Sequence, residues 1–420
     1  MNNTRSAASS PTARLLAGAF FANLYFERAL WIVYLLRHGY GLRSILALQV
    51  LINLVMLVAQ VPTGMFADKA GRKVAIAIGR VGSVVFLILL MLASSFGLLV
   101  VAFVIYGIAV TMISGAEDAL LFNSADENAD FTRVRGMYAS VLTGAPMLAL
   151  AVGGLLQEVS WHLLFFSSIA AQAVSLVILG FLKVQPPQRD AAERAQSLFQ
   201  DLKDVMRTSA TVRTLIAGLA IANGAVSAFA IIAQALFAQE GAGTVEISLL
   251  YAAESAAATV AAMAAYRLER RVGQRGALIG SAVGHVAMFV LAFTGGLPAT
   301  ATAFVALGGL DNISDPVGNA ELNRVTKEQW RASVLSVYGM CSLAVMVTAL
   351  LITAEVPLSV ASSKHVIAGV GMAACLIALA CLAMIRPAAP LAVPGRGDIV
   401  PGRGDIVPGG QERVSSGGRA

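Results

Sequence analysis

Charge is what this sequence has least of. Only 13% of its 420 residues are Asp, Glu, Lys or Arg, about half the share of an average soluble domain. A chain this poor in charge cannot cover a folded surface with polar groups, which excludes an ordinary soluble globule. Cysteine is scarce too. Cys341, Cys375 and Cys381 lie inside apolar segments, with no metal-ligand spacing and no disulfide framework. His38, His162, His285 and His365 are scattered, no His-Glu-x-x-His site exists, and His285 reads as a core residue. No phosphate-binding loop of the Gly-x4-Gly-Lys-Ser/Thr type occurs, so ATP is not the expected energy source. No enzyme chemistry, metal or cofactor is expected. Met1 to Ala13 lacks the apolar core and cleavage site of a secretory signal, so the first apolar run is expected to stay as a helix.

Apolar residues fill the space instead: 57% of the chain is hydrophobic and the mean hydropathy is +0.76. A spanning helix needs about 20 apolar residues. The runs predict twelve, at 14–36, 44–66, 74–92, 98–122, 136–158, 162–182, 212–238, 245–266, 277–293, 300–322, 332–353 and 366–385. The expected fold is an all-α integral membrane protein. It has an N-tail at 1–13, six-helix bundles at 14–182 and 212–386, a charged linker at 183–211, and a tail at 387–420. Within the linker, Leu198, Leu202, Val205 and Met206 recur at helical spacing among charges. That suits an amphipathic helix on the membrane surface, or equally a solvated linker helix.

The net charge is +6, but the basic residues sit in short loops between apolar runs. Such placement records topology rather than nucleic-acid binding. With the N-terminus cytoplasmic, that side collects every Lys and Arg except Arg28, Arg37, Arg43 and Lys364, if Arg80 is counted with the loop between helices 2 and 3. The positive-inside rule then places both termini in the cytoplasm, with the chain a multi-pass protein of the inner or plasma membrane.

Two repeats stand out. Val393-Pro-Gly-Arg-Gly-Asp-Ile399 is followed at once by the same seven residues from Val400 to Ile406, and so much Pro and Gly with little to bury predicts disorder. More informative is a likeness six helices apart. Helix 4 carries Ile113-Ser114-Gly115-Ala116-Glu117-Asp118 and helix 10 carries Ile313-Ser314-Asp315-Pro316-Val317-Gly318. Two parallel six-helix halves are a known transporter plan.

The sharpest motif is the loop between helices 2 and 3, Gly64-Met65-Phe66-Ala67-Asp68-Lys69-Ala70-Gly71-Arg72-Lys73. In spacing and residue type it resembles the signature loop of the major facilitator superfamily, and the resemblance extends over about residues 14–386. It implies two pseudo-symmetric six-helix bundles that work by alternating access, with helices 1, 4, 7 and 10 lining a central cavity. Gly64, Asp68, Gly71 and Arg72 would form the gate. Asp68 would face the N-terminal end of helix 11, where a helix dipole favours an anion, and Arg72 would pair with Asp118. The equivalent loop between helices 8 and 9 keeps Gly273 but replaces the acid with Arg270 and the first arginine with Gln274.

Ionisable residues inside apolar helices are costly and are functional candidates by default. Glu27 heads them. Asn23, Glu27, Trp31 and Tyr34 share one face of a continuous helix 1, and aromatic faces attract cations. Acids on helix 1 hold protons or substrate in some multidrug/proton antiporters of the superfamily, so the resemblance implies that role for Glu27; the alternative is an ion pair with Arg28 or another buried charge. Glu117, on the face of Ser114, is a second proton candidate. Asp311 and Asp315, one turn apart on helix 10, suit proton exchange or a packing pair satisfied by Arg28. Glu254 carries little weight.

Two departures bear on substrate. Helix 4 lacks the arginine of the superfamily's proton-antiport pattern, and in helix 5 Gly144-Ala145-Pro146 stands six residues from Gly153-Gly154. The expectation is a monomeric, proton-driven exporter of a small hydrophobic or amphipathic organic compound. An apolar lining with Arg28 as its arginine argues against sugar phosphates and dicarboxylates. A proton-coupled uptake symporter and a non-transporting receptor or assembly factor are the alternatives.

Overall fold

The computed structural model describes residues 11–92, 94–124, 131–182, 203–355 and 360–385. Residues 183–202 and 386–420 lie outside these, and with them most of the expected surface helix and the whole repeat tail. Of the linker pattern, Val205 is buried in the second half's core and Met206 is exposed.

The described chain is helical: α1 (Pro11–Ala22), α2 (Trp31–Arg37), α3 (Leu42–Ala70), α4 (Arg72–Leu92), α5 (Phe96–Ser124), α6 (Phe131–Val159), α7 (Trp161–Gly180), α8 (Ala210–Gln239), α9 (Thr244–Thr294), α10 (Leu297–Val325), α11 (Arg331–Ala354) and α12 (Val360–Met384). Helices are what lipid permits, because hydrocarbon supplies no partner for an open backbone group. Among the described residues nine helices are long and apolar enough to span a membrane. α9 is two spans joined at Gly273, whose φ of 74° and ψ of 162° are not helical. α10, with Asp311, Asn312 and Asp315, and the interrupted pair α1–α2 bring the total to twelve.

The two halves repeat each other. Left-handed φ values occur at Gly39 and Gly71 in the first half and at Gly241 and Gly273 in the second. Both pairs are 202 residues apart, so the same two turns demand a residue without a Cβ. The spacing carries over to side chains. Lys73 Nζ donates to the carbonyls of Gly180 at 2.8 Å and Leu182 at 2.7 Å, closing the end of α7. Arg275, 202 residues on, donates to the carbonyl of Ala383 at 2.8 Å at the end of α12.

Within the first half α4 packs on α5 and α7, and α1 on α7; within the second, α8 packs on α11 and α12, and α9 on α10. Gly79 and Gly82 let α4 close on Ala109 of α5, the small-residue contact that replaces hydrophobic driving force in lipid. The apolar cores reveal the conformation. Toward the Gly39/Gly241 face one continuous core takes Ile32, Leu35 and Ile45 from the first half and Phe229, Ile232 and Phe237 from the second. Toward the Gly71/Gly273 face the halves keep separate cores, one around Ala75, Tyr138 and Leu179 and another around Leu215, Val334 and Leu382.

Candidate functional site

The sequence predicts one continuous helix at 14–36. The structure breaks it: α1 ends at Ala22, residues 23–30 are turn and irregular chain, and α2 begins at Trp31. Breaking a helix in a membrane exposes backbone groups that need partners, and neighbouring helices supply them with buried side chains. Arg80 of α4 and Gln172 of α7 both donate to the Ala22 carbonyl, at 3.2 and 2.9 Å. The Phe26 N–H donates to Ser168 Oγ of α7 at 3.0 Å. Gln234 of α8 serves both directions, accepting from the Ile32 N–H at 3.2 Å and donating to the Arg28 carbonyl at 2.9 Å.

This broken segment faces two cavities. The smaller, about 430 Å³, lies within the first half, between Glu27 and Arg28 on one side and Arg80, Phe86, Tyr106 and Glu117 on the other. The larger, about 940 Å³, lies between the halves. It runs from Arg28 at mid-depth past Tyr251 and Glu254 to Ser140 of α6 and Met263 of α9, toward the Gly71/Gly273 face. Arg28, Trp31 and Gln49 line both cavities and so mark their junction. An aromatic chain walls the smaller one: Trp31 packs on Phe103 with ring centres 5.4 Å apart, and Phe86 stacks on Tyr106 at 4.1 Å.

At the Gly39/Gly241 face the halves are joined by specific bonds. The Gly154 N–H of α6 donates to Ser248 Oγ of α9 at 2.8 Å, and that hydroxyl donates to the Leu150 carbonyl at 2.7 Å. Gln157 bonds Thr244, and Arg43 pairs with Glu355 at 3.0 Å. A Cβ at Gly154 would stand 2.6 Å from Val245 Cα, so the glycine pair singled out in helix 5 lies at the seam between halves. The central cavity is closed at this face and open at the other.

Of the residues expected on one face of helix 1, Asn23, Glu27 and Trp31 line the smaller cavity together and Tyr34 leaves it. Glu27 is buried and accepts a hydrogen bond from Ser168 Oγ while still lining the smaller cavity. Its expected alternative, an ion pair with Arg28, does not form. Asn23 lines the same cavity and donates to the Ala19 carbonyl at 2.8 Å. Tyr34 turns away: its hydroxyl donates to the Met91 carbonyl, and its ring lies between Trp161 and Phe165. The shared face needed an uninterrupted helix, which the break removes.

Glu117 is committed to an ion pair with Arg80 and also accepts from the Tyr138 hydroxyl at 3.4 Å. Asp311 accepts from Asn223 of α8 at 3.0 Å and Asp315 from the Tyr338 hydroxyl of α11 at 2.9 Å. Neither is bound by Arg28. The lining of the two cavities takes Asn312 from α10 but neither aspartate. Of the gate residues, Gly71 makes the α3–α4 turn. Asp68 is exposed and, among the described residues, has no hydrogen-bond or ion-pair partner. Its expected contact with α11 is not made because the halves keep separate cores at this face. The Asp118 side chain lies outside the described residues.

Arg80 is the correction of most consequence. Counted with a basic loop in the sequence, it lies inside α4 and is 4% exposed, so the lining holds two arginines rather than Arg28 alone, and it is polar as well as aromatic. An arginine inside the apolar run 74–92 was itself a signal, since such a charge persists only with a buried partner. Ser168, Gln172 and Gln234 carried weaker signals: each is a lone polar residue in an apolar helix, and its role depends on a break elsewhere.

The fold is shared with known transport proteins. A point mutant of the nucleoside transporter NupG superposes with a TM-score of 0.75 at 14% identity, covering 90% of this chain and all of that one. A bacterial homolog of the human lysosomal transporter Spinster, in an inward-facing, unoccupied conformation, superposes at 0.69 and 14% identity, over 91% of this chain and 96% of that one. No curated protein matches the chain significantly by sequence. The family model described as Major Facilitator Superfamily matches residues 16–350, and with its paired halves and central cavity the chain belongs to that superfamily of membrane transporters.

Proposed function

We propose that the protein is a proton-coupled secondary transporter that exports a small amphipathic organic compound by alternating access. The observation that carries this reading is the central cavity, closed at one face and open at the other, with the interrupted first span presenting Arg28 and Trp31 at its junction with the smaller cavity that Glu27 lines. We take the open face as cytoplasmic on the basic-loop count, which makes this conformation the one that loads from the cell interior. Aromatic walls and polar groups together suit a solute with an apolar body and a polar head. Glu27, buried beside the cavity and held by a neutral hydroxyl, is the group we assign to the proton. The gating set is Gly64, Asp68, Gly71, Arg72 and Asp118, which would meet when the Gly71/Gly273 face closes.

Purified protein reconstituted in proteoliposomes with a pH dye tests the reading, using cationic, zwitterionic, neutral and anionic compounds. Solute-triggered proton flux that is lost in Glu27→Gln supports it. Flux that survives the substitution moves the coupling to Asp311 and Asp315. Solute and protons moving in the same direction would establish uptake by symport, and no flux with any compound would sink transport.

A further inference from the structure

Five charged side chains line the two cavities among the described residues: Glu27, Arg28, Arg80, Glu117 and Glu254. Three are satisfied by protein. Glu27 is bonded by Ser168, and Arg80 and Glu117 pair with each other. Beyond the cavity lining, Asp311 and Asp315 are held by Asn223 and Tyr338. The two that remain, Arg28 and Glu254, have no hydrogen-bond or ion-pair partner among the described residues. They have opposite charge, belong to opposite halves of the molecule, and line the same 940 Å³ space.

Each is held in place by its surroundings. Arg28 sits on the irregular segment between α1 and α2, with its own carbonyl fixed by Gln234 at 2.9 Å, and its side chain is exposed to the cavity. Glu254 lies over Gly308 of α10, where a Cβ would stand 2.7 Å from its Cγ. Only a glycine leaves that room. A solute of one charge would engage one of these groups and leave the other to the water of the cavity. A zwitterion satisfies both.

We propose, building on the transport reading above, that the solute is zwitterionic. Its carboxylate meets the Arg28 guanidinium, whose paired donors match that group, its ammonium meets Glu254, and its apolar body lies along Trp31 at the cavity junction. The bound solute then bridges the first half to the second.

Isothermal titration of the purified full-length protein with four probes of one shape tests this. They are 4-(aminomethyl)benzoate, 4-methylbenzoate, 4-methylbenzylamine and 4-methylbenzamide. The expected result is that the zwitterion binds at least ~10-fold more tightly than the other three. Arg28→Gln should weaken the zwitterion at least ~30-fold and 4-methylbenzoate with it, leaving the amine unchanged. Glu254→Gln should weaken the zwitterion and the amine but not 4-methylbenzoate, and Arg28→Lys, which keeps the charge but not the paired donors, should recover only part of the affinity lost in Arg28→Gln. Equal or tighter binding of a singly charged or neutral probe overturns the proposal. So does an equal weakening of all four probes in both variants, or no binding of any probe to the unmodified protein. The two readings fail separately. Proton flux driven by some other compound while these probes do not bind leaves transport standing and removes the zwitterion; the binding pattern without flux from any compound does the reverse.

Discussion

Arg80 and Glu117 allow the sharpest test of how the first half holds its broken helix. Arg80 is 4% exposed. Its guanidinium donates to the Ala22 carbonyl at 3.2 Å and to Gln172 Oε1 at 3.4 Å, and pairs with Glu117. Arg80→Met keeps the apolar bulk and removes the charge, leaving the Glu117 carboxylate with only the Tyr138 hydroxyl at 3.4 Å. Breaking a buried pair by removing one partner costs about 3–5 kcal/mol. The Glu117 side chain is 21% exposed to the cavity, so water offsets part of that and the lower end, ~3 kcal/mol, is expected. Glu117→Met should cost at least as much, because it strands the more deeply buried Arg80. The double variant leaves no orphaned charge. Its remaining losses are the bonds from Arg80 to Ala22 and Gln172 and from Tyr138 to Glu117, two of them long at 3.4 Å and together ~1–2 kcal/mol, since Gln172 still donates to Ala22 at 2.9 Å. Unfolding free energies from detergent titration of the four proteins complete the cycle. A double variant less damaged than either single one is expected, and a loss equal to the sum of the two would refute the argument.

Further outcomes follow from the same geometry. Gly154→Val drives a side chain into the Val245 and Thr244 backbone, 2.6 and 2.8 Å from the position of its Cβ, so it should open the Gly39/Gly241 face; spin-label distances across that face should lengthen, and unchanged distances would contradict the seam. Gly273→Ala forces a Cβ onto a φ of 74° and should cost ~1–3 kcal/mol, read by the same titration, whereas Gly280→Ala, inside regular helix with open space at its Cβ, should cost nothing. Lys364→Met removes the partner of buried Glu240, now bonded at 2.8 Å, and should cost ~3 kcal/mol or more; adding Glu240→Gln should recover most of it, and failure to recover would show that the lysine acts by packing. Gly308→Ala should displace Glu254 and lower solute-driven flux with little change in stability, so a matched loss of both would argue against a positional role for the glycine.

Much of this architecture was legible in the chain. Apolar runs of spanning length, a loop whose spacing matches the superfamily, and basic residues concentrated between the spans point to twelve spans in two halves. Those signals are local, because lipid forces each span to satisfy its own backbone. The paired glycines are visible as residues, and through Gly273 the loop between the expected helices 8 and 9 matches that between helices 2 and 3. That Gly39 and Gly241 also form a pair needed their φ values.

The site was less legible, and the reason is physical. Asn23 to Leu30 contains neither proline nor glycine, so nothing in the segment marks a break. Helix 1 ends where it does because Arg80, Gln172, Ser168 and Gln234, between 58 and 206 residues away along the chain, take up its backbone groups. Once the helix is broken, the periodicity that put Tyr34 beside Glu27 no longer holds. Glu254 could not be weighed from sequence for a related reason. An acid among alanines gains or loses meaning only through what lies opposite, and its counterpart, Arg28, stands in the other half of the molecule. The sequence by itself determined the spans, their grouping and the Gly71/Gly273 turn that repeats between halves, because each depends on residues close in the chain. Only the tertiary structure decided which charges are neutralised and which face the cavity unpaired, because that depends on helices brought together from both halves.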